Sequence, residues 1–364
     1  MIVGNLVHRP VRSLISIVAV ALEVTLILLI VGLCMGMLQD QQARTAGIGA
    51  DVIVMPPGSS FIAGLTGSPM SIKVAGILAK LPHVEKVAPV ITTVSTAGTL
   101  EIITGIDLQS YESLSGGFHY LNGGRFQDRN DVIVDDLFAQ AKHVNVGDTI
   151  EILNHPFRIC GIVEHGKGGR KFLPLSTMQD LTGAEGKASQ MYLKLDDPAN
   201  ADAVVDEIKH VPGMKSYVAS SMATYLSMMT PSKYPYLSTF LRVVIWISVV
   251  IGVLVIFQAM YAAVMERTRE IGILKSMGAS KLYIVNVVLR ETVLLAIGGI
   301  VLGVAFSLTV RAVLAHKLPL LQVIVSREWI ARAALIAIAS ALGGALYPAF
   351  KAAQKDPIDA LAYE

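Results

Sequence analysis

Residues 243–280 run VVIWISVVIGVLVIFQAMYAAVM and then, with no turn residue between, ERTREIGILKSMGAS. Val243–Met265 carries no charged side chain and is long enough to cross the roughly 30 Å of a bilayer's hydrocarbon core, which takes about 20 helical residues. A buried strand would be far shorter. Three other stretches meet the same test: Leu14–Leu38, with Glu23 as its one charge, Thr292–Val310, entered through Arg290 and Glu291, and Ala333–Phe350, uncharged. The sequence therefore reads as an α-helical membrane protein with four transmembrane helices, one early and three late. A large mixed α+β extracytoplasmic domain lies between helices one and two.

Composition agrees. The 364 residues are 53% hydrophobic and 16% charged, with mean hydropathy +0.58, whereas a soluble domain carries about a quarter charged residues. The net charge is +2, and basic residues form no stripe interleaved with aromatics, so nucleic acid is not an expected partner. Cys34 sits in an apolar run and Cys160 in a polar one. Both read as unpaired small hydrophobes without metal-ligand spacing. His143, His155 and His165 lack such spacing as well, and no HExxH or Ser-His-Asp set emerges. Neither a metal nor a catalytic residue is expected.

Four spans put both termini on one side. Arg9 and Arg12 precede the first span, Arg267, Arg269, Lys275 and Lys281 fill the short loop between the second and third, and Lys351 and Lys355 follow the fourth. Positive residues favour the cytoplasmic face, which makes the termini cytoplasmic in a bacterial inner membrane. Arg311, Lys317, Arg327 and Arg332 then fall outside, against the rule. The first span is about twice the length of a signal-peptide core and no small-residue cleavage site follows it promptly, so it reads as an uncleaved anchor.

Three segments follow: residues 1–38 with the first span, an outer domain over 39–237, and 238–364 with the remaining spans and a tail. Within the outer domain Asp51–Pro56, Val87–Val94, Leu100–Ile106, Asp131–Val134, Thr149–Leu153, Phe157–Val163 and Met191–Leu195 read as strands, and Val74–Leu81 and Ala199–His210 as helices. PPGSS at 56–60, the Gly pairs at 116–117 and 123–124, and GKGG at 166–169 read as turns. GKGG is not a P-loop, and the sequence contains no GxxxxGK[ST] motif.

Small residues recur at helix-packing spacing: Gly32 and Gly36 in the first span, Gly299 and Gly303 in the third, Gly343 and Gly344 in the fourth. They fit packing within one subunit or across a homodimer, and four helices are few for a transport path. Glu23 falls near the bilayer midplane, where a carboxylate is costly unless protonated or partnered. It is a candidate intramembrane functional residue, in contact with substrate, a proton or a partner helix, or else a carboxyl bonded to a neighbouring helix. Arg290 and Glu291 read as interfacial residues that snorkel or pair locally.

The charged stretch after Met265 reads as a short amphipathic helix along the membrane surface. Ile271, Leu274 and Met277 make one apolar face, Arg267 and Glu270 pair on another, and Gly278 supplies a left-handed stop. ERTREIGILKSMGAS resembles the cytoplasmic signature of the FtsX-like permease family, the MacB-type ABC transporter permeases. Tyr347-Pro348-Ala349-Phe350-Lys351-Ala352-Ala353, followed by Asp356-Pro357-Ile358-Asp359-Ala360-Leu361, is similar to that family's C-terminal end, a proline-broken span with a DP-x-x-AL tail. Asn5–Ser13 is similar to its amphipathic start, and Val144–Ile150 with Cys160–Val163 to its periplasmic domain.

The resemblance implies a permease of the mechanotransmission type. A separate ABC ATPase subunit dimer, holding ATP and Mg, would press on a coupling segment formed by Glu266, Arg267, Thr268, Arg269, Glu270, Ile271, Gly272, Leu274, Lys275, Gly278 and Ala279. The chain itself would bind no cofactor. It would pair with itself or a second permease, and the resemblance also admits a periplasmic adaptor. Export or extraction of a haem, peptide, drug or lipoprotein is the implied activity. The alternatives are a non-transporting transmitter that controls an extracytoplasmic enzyme, FtsX-style, and a membrane-anchored enzyme.

Overall fold

In the computed structural model, Val20, Val24, Ile27, Leu28 and Val31 of the first span are buried while Leu14, Ile15, Val18, Leu22 and Leu26 are exposed. This helical alternation puts one apolar face on neighbouring helices and the other where lipid would be. The structure describes residues 10–59, 68–95, 101–230, 233 and 235–354. Asn5–Arg9, Lys355 and the tail Asp356–Leu361 lie outside the described residues.

Among the described residues four helices are long and apolar enough to cross a membrane. They are α1 (Pro10–Ala46), α8 (Pro235–Glu266), α10 (Lys281–Lys317) and α11 (Arg327–Gln354), and the short α9 (Thr268–Ser276) stands between α8 and α10. The chain divides into two compact units. One takes α1 as far as Gly36 with α8, α9, nearly all of α10, and α11; the other takes the chain from Met37 to 234, with Lys317–Leu320.

Within the membrane unit small residues let backbones touch. A Cβ on Gly299 would lie 2.5 Å from Val20 Cβ, and one on Gly303 would lie 2.7 Å from the Ala21 carbonyl, so this pair seats α10 on α1. Gly344 meets the Val253 carbonyl of α8. Gly32 and Gly36 do otherwise: the loop between α10 and α11 approaches them, with Ile324 N–H donating to the Gly32 carbonyl at 2.9 Å. A Cβ on Gly36 would sit 1.8 Å from the Gln322 carbonyl oxygen. Spacing alone does not distinguish a helix from a loop as the partner.

The first helix runs on past the apolar stretch Leu14–Leu38 to Ala46, and Asp40, Gln42 and Arg44 find partners in the outer unit. One sequence expectation needs correction. Pro348 does not break the last span: α11 runs on to Gln354 with Pro348 inside it. The lost hydrogen bond falls on the Gly344 carbonyl, where the tight contact with α8 holds the helix in place.

The outer unit is built on a ten-stranded mixed sheet. Its strands are β1 (Val52–Met55), β3 (Val84–Ser95), β4 (Glu101–Ile106), β5 (Tyr120–Gly123), β6 (Asp131–Asp135), β7 (Thr149–Ile152), β8 (His155–Val163), β9 (Lys171–Pro174), β11 (Gln190–Leu195) and β12 (Val218–Ser221). The order is β12-β1-β11-β3-β4-β9-β6-β8-β5, with β7 paired to β8. Short β2 (Met70–Ser71) and β10 (Lys187–Ala188) pair with each other. The β4/β9 and β6/β8 pairs are parallel, which requires crossovers.

Helices α3 (Leu108–Ser115) and α4 (Asp136–Lys142) lie within those crossovers, and α2 (Lys73–Leu78), α5 (Leu175–Thr182), α6 (Ala201–His210) and α7 (Met222–Met228) complete the outer unit. The sequence reading found the strands with runs of Val and Ile, but only α2 and α6 among these helices. The helices it missed are short; α3, α4 and α7 carry caps, the side chains of Asp107, Asp135 and Ser221 accepting from Ser110, Phe138 and Thr224 N–H, and α5, entered through Pro174, has none.

Candidate functional site

Helix α8 ends at Glu266, and Arg267 (φ −102°, ψ 18°) leaves helical geometry before α9 begins. The Thr268 hydroxyl donates back to the Met265 carbonyl at 2.7 Å, tightening the corner. At the other end Gly278 adopts φ +94°, and Ala279 N–H reaches the Leu274 carbonyl at 3.0 Å. This is a left-handed helix stop in which a Cβ would be strained. Ser280 then caps α10 by accepting from Tyr283 N–H at 3.2 Å.

The corner redirects Arg267. Its guanidinium does not pair with Glu270, as the sequence reading expected; it holds both oxygens of Glu291 on α10, at 3.1 and 3.0 Å. An arginine outside the helix no longer shares a face with the residue three places on, and the pair it makes is 16% and 10% exposed. So enclosed a pair is screened less than a surface one. Glu291 is therefore a partner of the segment rather than a local interfacial charge. Further along, the Lys275 ammonium donates to the Ala353 carbonyl near the end of α11 at 3.1 Å. Thr268, Ile271 and Gly272 are buried, with Ile271 in the same apolar cluster as Ala349, Ala352 and Ala353.

Helix α9 is thus joined to α8 through the corner, to α10 by the ion pair of the corner residue Arg267 and to α11 by the Lys275 hydrogen bond. Its opposite side is bare. Arg269, Glu270, Ile273 and Ser276 are exposed, and Met277 is 78% exposed. The expected apolar face of Ile271, Leu274 and Met277 stops short, since the helix ends at Ser276 and Met277 turns outward. A cavity of about 230 Å³ opens between the end of α8, α9 and the start of α10, with the Arg267–Glu291 pair in its wall.

Glu23 lies away from this segment. It is 3% exposed, and the Ser340 hydroxyl of α11 is 2.9 Å from each of its oxygens. Gly252 of α8 makes the room: a Cβ there would fall 2.2 Å from Oε2. One carboxyl thus joins three helices.

In the outer unit Cys160 is half-buried and its thiol is pushed up to about 12 by burial, which leaves little nucleophilic thiolate. His165 pairs with Asp136 at 3.0 Å, and His143 ends α4 with φ +54°.

The sequence reading missed the role of 166–170. Gly168 N–H donates to the Arg44 carbonyl at the end of α1, at 2.9 Å. Arg170 bridges Asp40 of α1, at 2.8 Å, and Asp135 of β6, at 3.4 Å. Only the polar run Gln39–Arg44, needless for an anchor that stops at Leu38, hints at this.

Two family models match. "MacB-like periplasmic core domain" covers residues 13–211, more than half of the chain, and "FtsX-like permease C-terminal" covers 242–357. Among curated relatives, the Macrolide export ATP-binding/permease protein MacB of Neisseria meningitidis serogroup A is 27% identical over 100% of this chain and 60% of its own length. That of Salmonella typhi is 29% identical over 68% of this chain and 41% of its own length. The chain spans less than two thirds of the length of each of these relatives. Among solved structures, the periplasmic region of MacB from Actinobacillus actinomycetemcomitans is 20% identical, covers 50% of this chain and 94% of its own, and superposes with a TM-score of 0.40.

Proposed function

The chain belongs to the family of MacB- and FtsX-type ABC transporter permeases, and from that premise we propose that it couples ATP hydrolysis in a separate ATPase to the movement of a substrate out of a bacterial inner membrane. The termini and α9 face the cytoplasm in this reading. Two ATPase subunits bind ATP and Mg, dimerise, and press on the bare side of α9, and two permease copies stand above them.

The observation that carries the reading is the anchoring of α9 on three spans at once, through its join to α8, the Arg267–Glu291 pair and the Lys275–Ala353 bond. A force on a surface helix held by one neighbour would be lost as local bending. Held by three, the helix passes displacement to the whole bundle, since packed elements switch between arrangements rather than deform smoothly. Glu266–Ala279 is the coupling segment, and Glu23 is an internal clasp between α1, α8 and α11. The relatives are named for macrolide export, so amphiphilic drugs are the first substrate class to try, with haem, peptides and lipoproteins next.

Charge exchange tests the lever. The permease is reconstituted with its ATPase, and drug-stimulated ATP hydrolysis is measured. Arg267→Glu alone loses the stimulation while complex formation persists, and Arg267→Glu combined with Glu291→Arg regains much of it. Full stimulation in Arg267→Glu removes the pair from the mechanism.

A further inference from the structure

The last turns of α1 and the loop that joins β8 to β9 lie in the same compact unit, and α1 is unbroken from Pro10 to Ala46. The contacts between them are dense and of three kinds. The first is ionic. Asp40 receives Arg44 at 3.1 Å and Arg170 at 2.8 Å, and the other prong of Arg170 reaches Asp135 at 3.4 Å. None of the four side chains is more than 16% exposed. Arginine's planar fork suits a bridge between two carboxylates, and lysine would lose it.

The second kind is backbone. Gly168 N–H donates to the Arg44 carbonyl at 2.9 Å, and Asp135 N–H to the Arg170 carbonyl at 3.0 Å. The third is close approach. A Cβ on Gly47 would sit 1.7 Å from the Gly166 carbonyl oxygen, and one on Gly168 (φ +89°) would sit 2.4 Å from the Tyr111 hydroxyl. That hydroxyl donates to the Lys167 carbonyl at 2.8 Å, so the loop is held from its far side as well. Gln42 of α1 also donates to the Leu226 and Met229 carbonyls at the end of α7, at 3.1 and 2.7 Å.

We infer that the 166–170 loop and the Asp40–Arg170–Asp135 bridge form the joint through which displacement of α1 is passed to the β-sheet. This rests on the coupling function proposed above. A helix that merely anchors a domain needs no side-chain grip on it, and a flexible linker would serve. Here the polar end of α1 is gripped by the 166–170 loop, whose Arg170 carries the contact on to Asp135 of β6, and its charges are answered at buried sites where water screens them little. Arg170 and Asp40 are positioning residues: they touch no substrate and fix the direction in which the sheet follows the helix.

The test uses the full chain with its ATPase in nanodiscs, with Cys34 and Cys160 replaced. Spin labels at Met37 and Asp206, both exposed, report the α1 end against α6. Labels at Val18 and Leu335, also exposed, report the spans. The native joint gives one narrow 37–206 distance with and without ATP. Asp40→Asn, which keeps shape, and Arg170→Lys, which keeps charge, each broaden that distance and make it nucleotide-dependent while the 18–335 pair still responds to ATP. Thermal midpoints and co-purification with the ATPase verify folding of both variants. A wild-type 37–206 distribution in both variants overturns the joint. An 18–335 distance indifferent to ATP in the native chain overturns the coupling function instead, leaving the width of the 37–206 distance to judge the joint by itself.

Discussion

Glu23 and Asp135 are both buried acids, and they differ in what answers them. Among the described residues Glu23 is met by the Ser340 hydroxyl and the hollow at Gly252. Glutamine fits the same hollow and keeps a hydrogen bond to Ser340, so Glu23→Gln retains thermal stability and drug-stimulated hydrolysis. Glu23→Ala leaves a void and loses roughly 2–3 kcal/mol, the usual scale for emptying a packed site. Lost stimulation in a stable Gln variant would give Glu23 a role in transport instead. Sequence placed this residue by counting along the span but could not choose its partner, because Ser340 is remote in sequence and ordinary in type.

Burial pushes the Asp135 carboxyl up to about 6, against the pull of Arg170 and of the Phe138 N–H. The unfolded carboxyl titrates near 3.9, so the native state holds the proton more tightly. Its contribution to stability is greatest below about pH 4, falls as pH rises through about 6, and is level above that. On this group alone the outer unit loses on the order of 2 kcal/mol between pH 4 and pH 7. Thermal unfolding of the purified chain across that range checks it: Asp135→Asn, which still caps α4, has a flatter profile. Identical profiles would mean the carboxyl is already charged at pH 5.

At the scale of elements, the glycines divide by what approaches them. Gly36 faces the Gln322 backbone at a distance no Cβ tolerates, whereas Gly343 has its nearest neighbour 4.0 Å away. Gly36→Ala should cost roughly 1–3 kcal/mol, as overpacking does, and Gly343→Ala should be near neutral. Equal thermal midpoints for the two would contradict the seating of the α10–α11 loop on α1. The spans themselves were legible because a bilayer demands long apolar runs and little else. The strands were legible from short runs of Val and Ile, as in Asp131–Val134, which is buried throughout. Helices such as α4 and α5 escaped because seven or eight residues hold too few turns to show a period; a single capping side chain, Asp135, signals α4, and α5 has none. The α9 corner was half legible: Gly278 announced its end, but Arg267 turned toward Glu291 because α8 ends at Glu266 and leaves Arg267 in the corner, outside both helices.

Across the whole molecule, the two ends of the chain's logic are two clamps. One holds α9 to three spans; the other holds the end of α1 to the sheet. The first was readable only with help from a family resemblance, since an amphipathic helix on a membrane is common and nothing in its own fifteen letters requires a partner. The second was invisible, because GKGG is read as a loop whatever it grips. Substrate identity is carried by neither clamp. What the account does require is that the partner ATPase touch α9 on its bare side. Photocrosslinking tests this most directly, with a benzophenone side chain placed in turn at Ile273, Met277, Leu335 and Asp206 of the permease bound to its ATPase. The account predicts adducts to the ATPase from Ile273 and Met277 and none from Leu335 or Asp206. Adducts from the outer-domain position with none from either α9 position would contradict it.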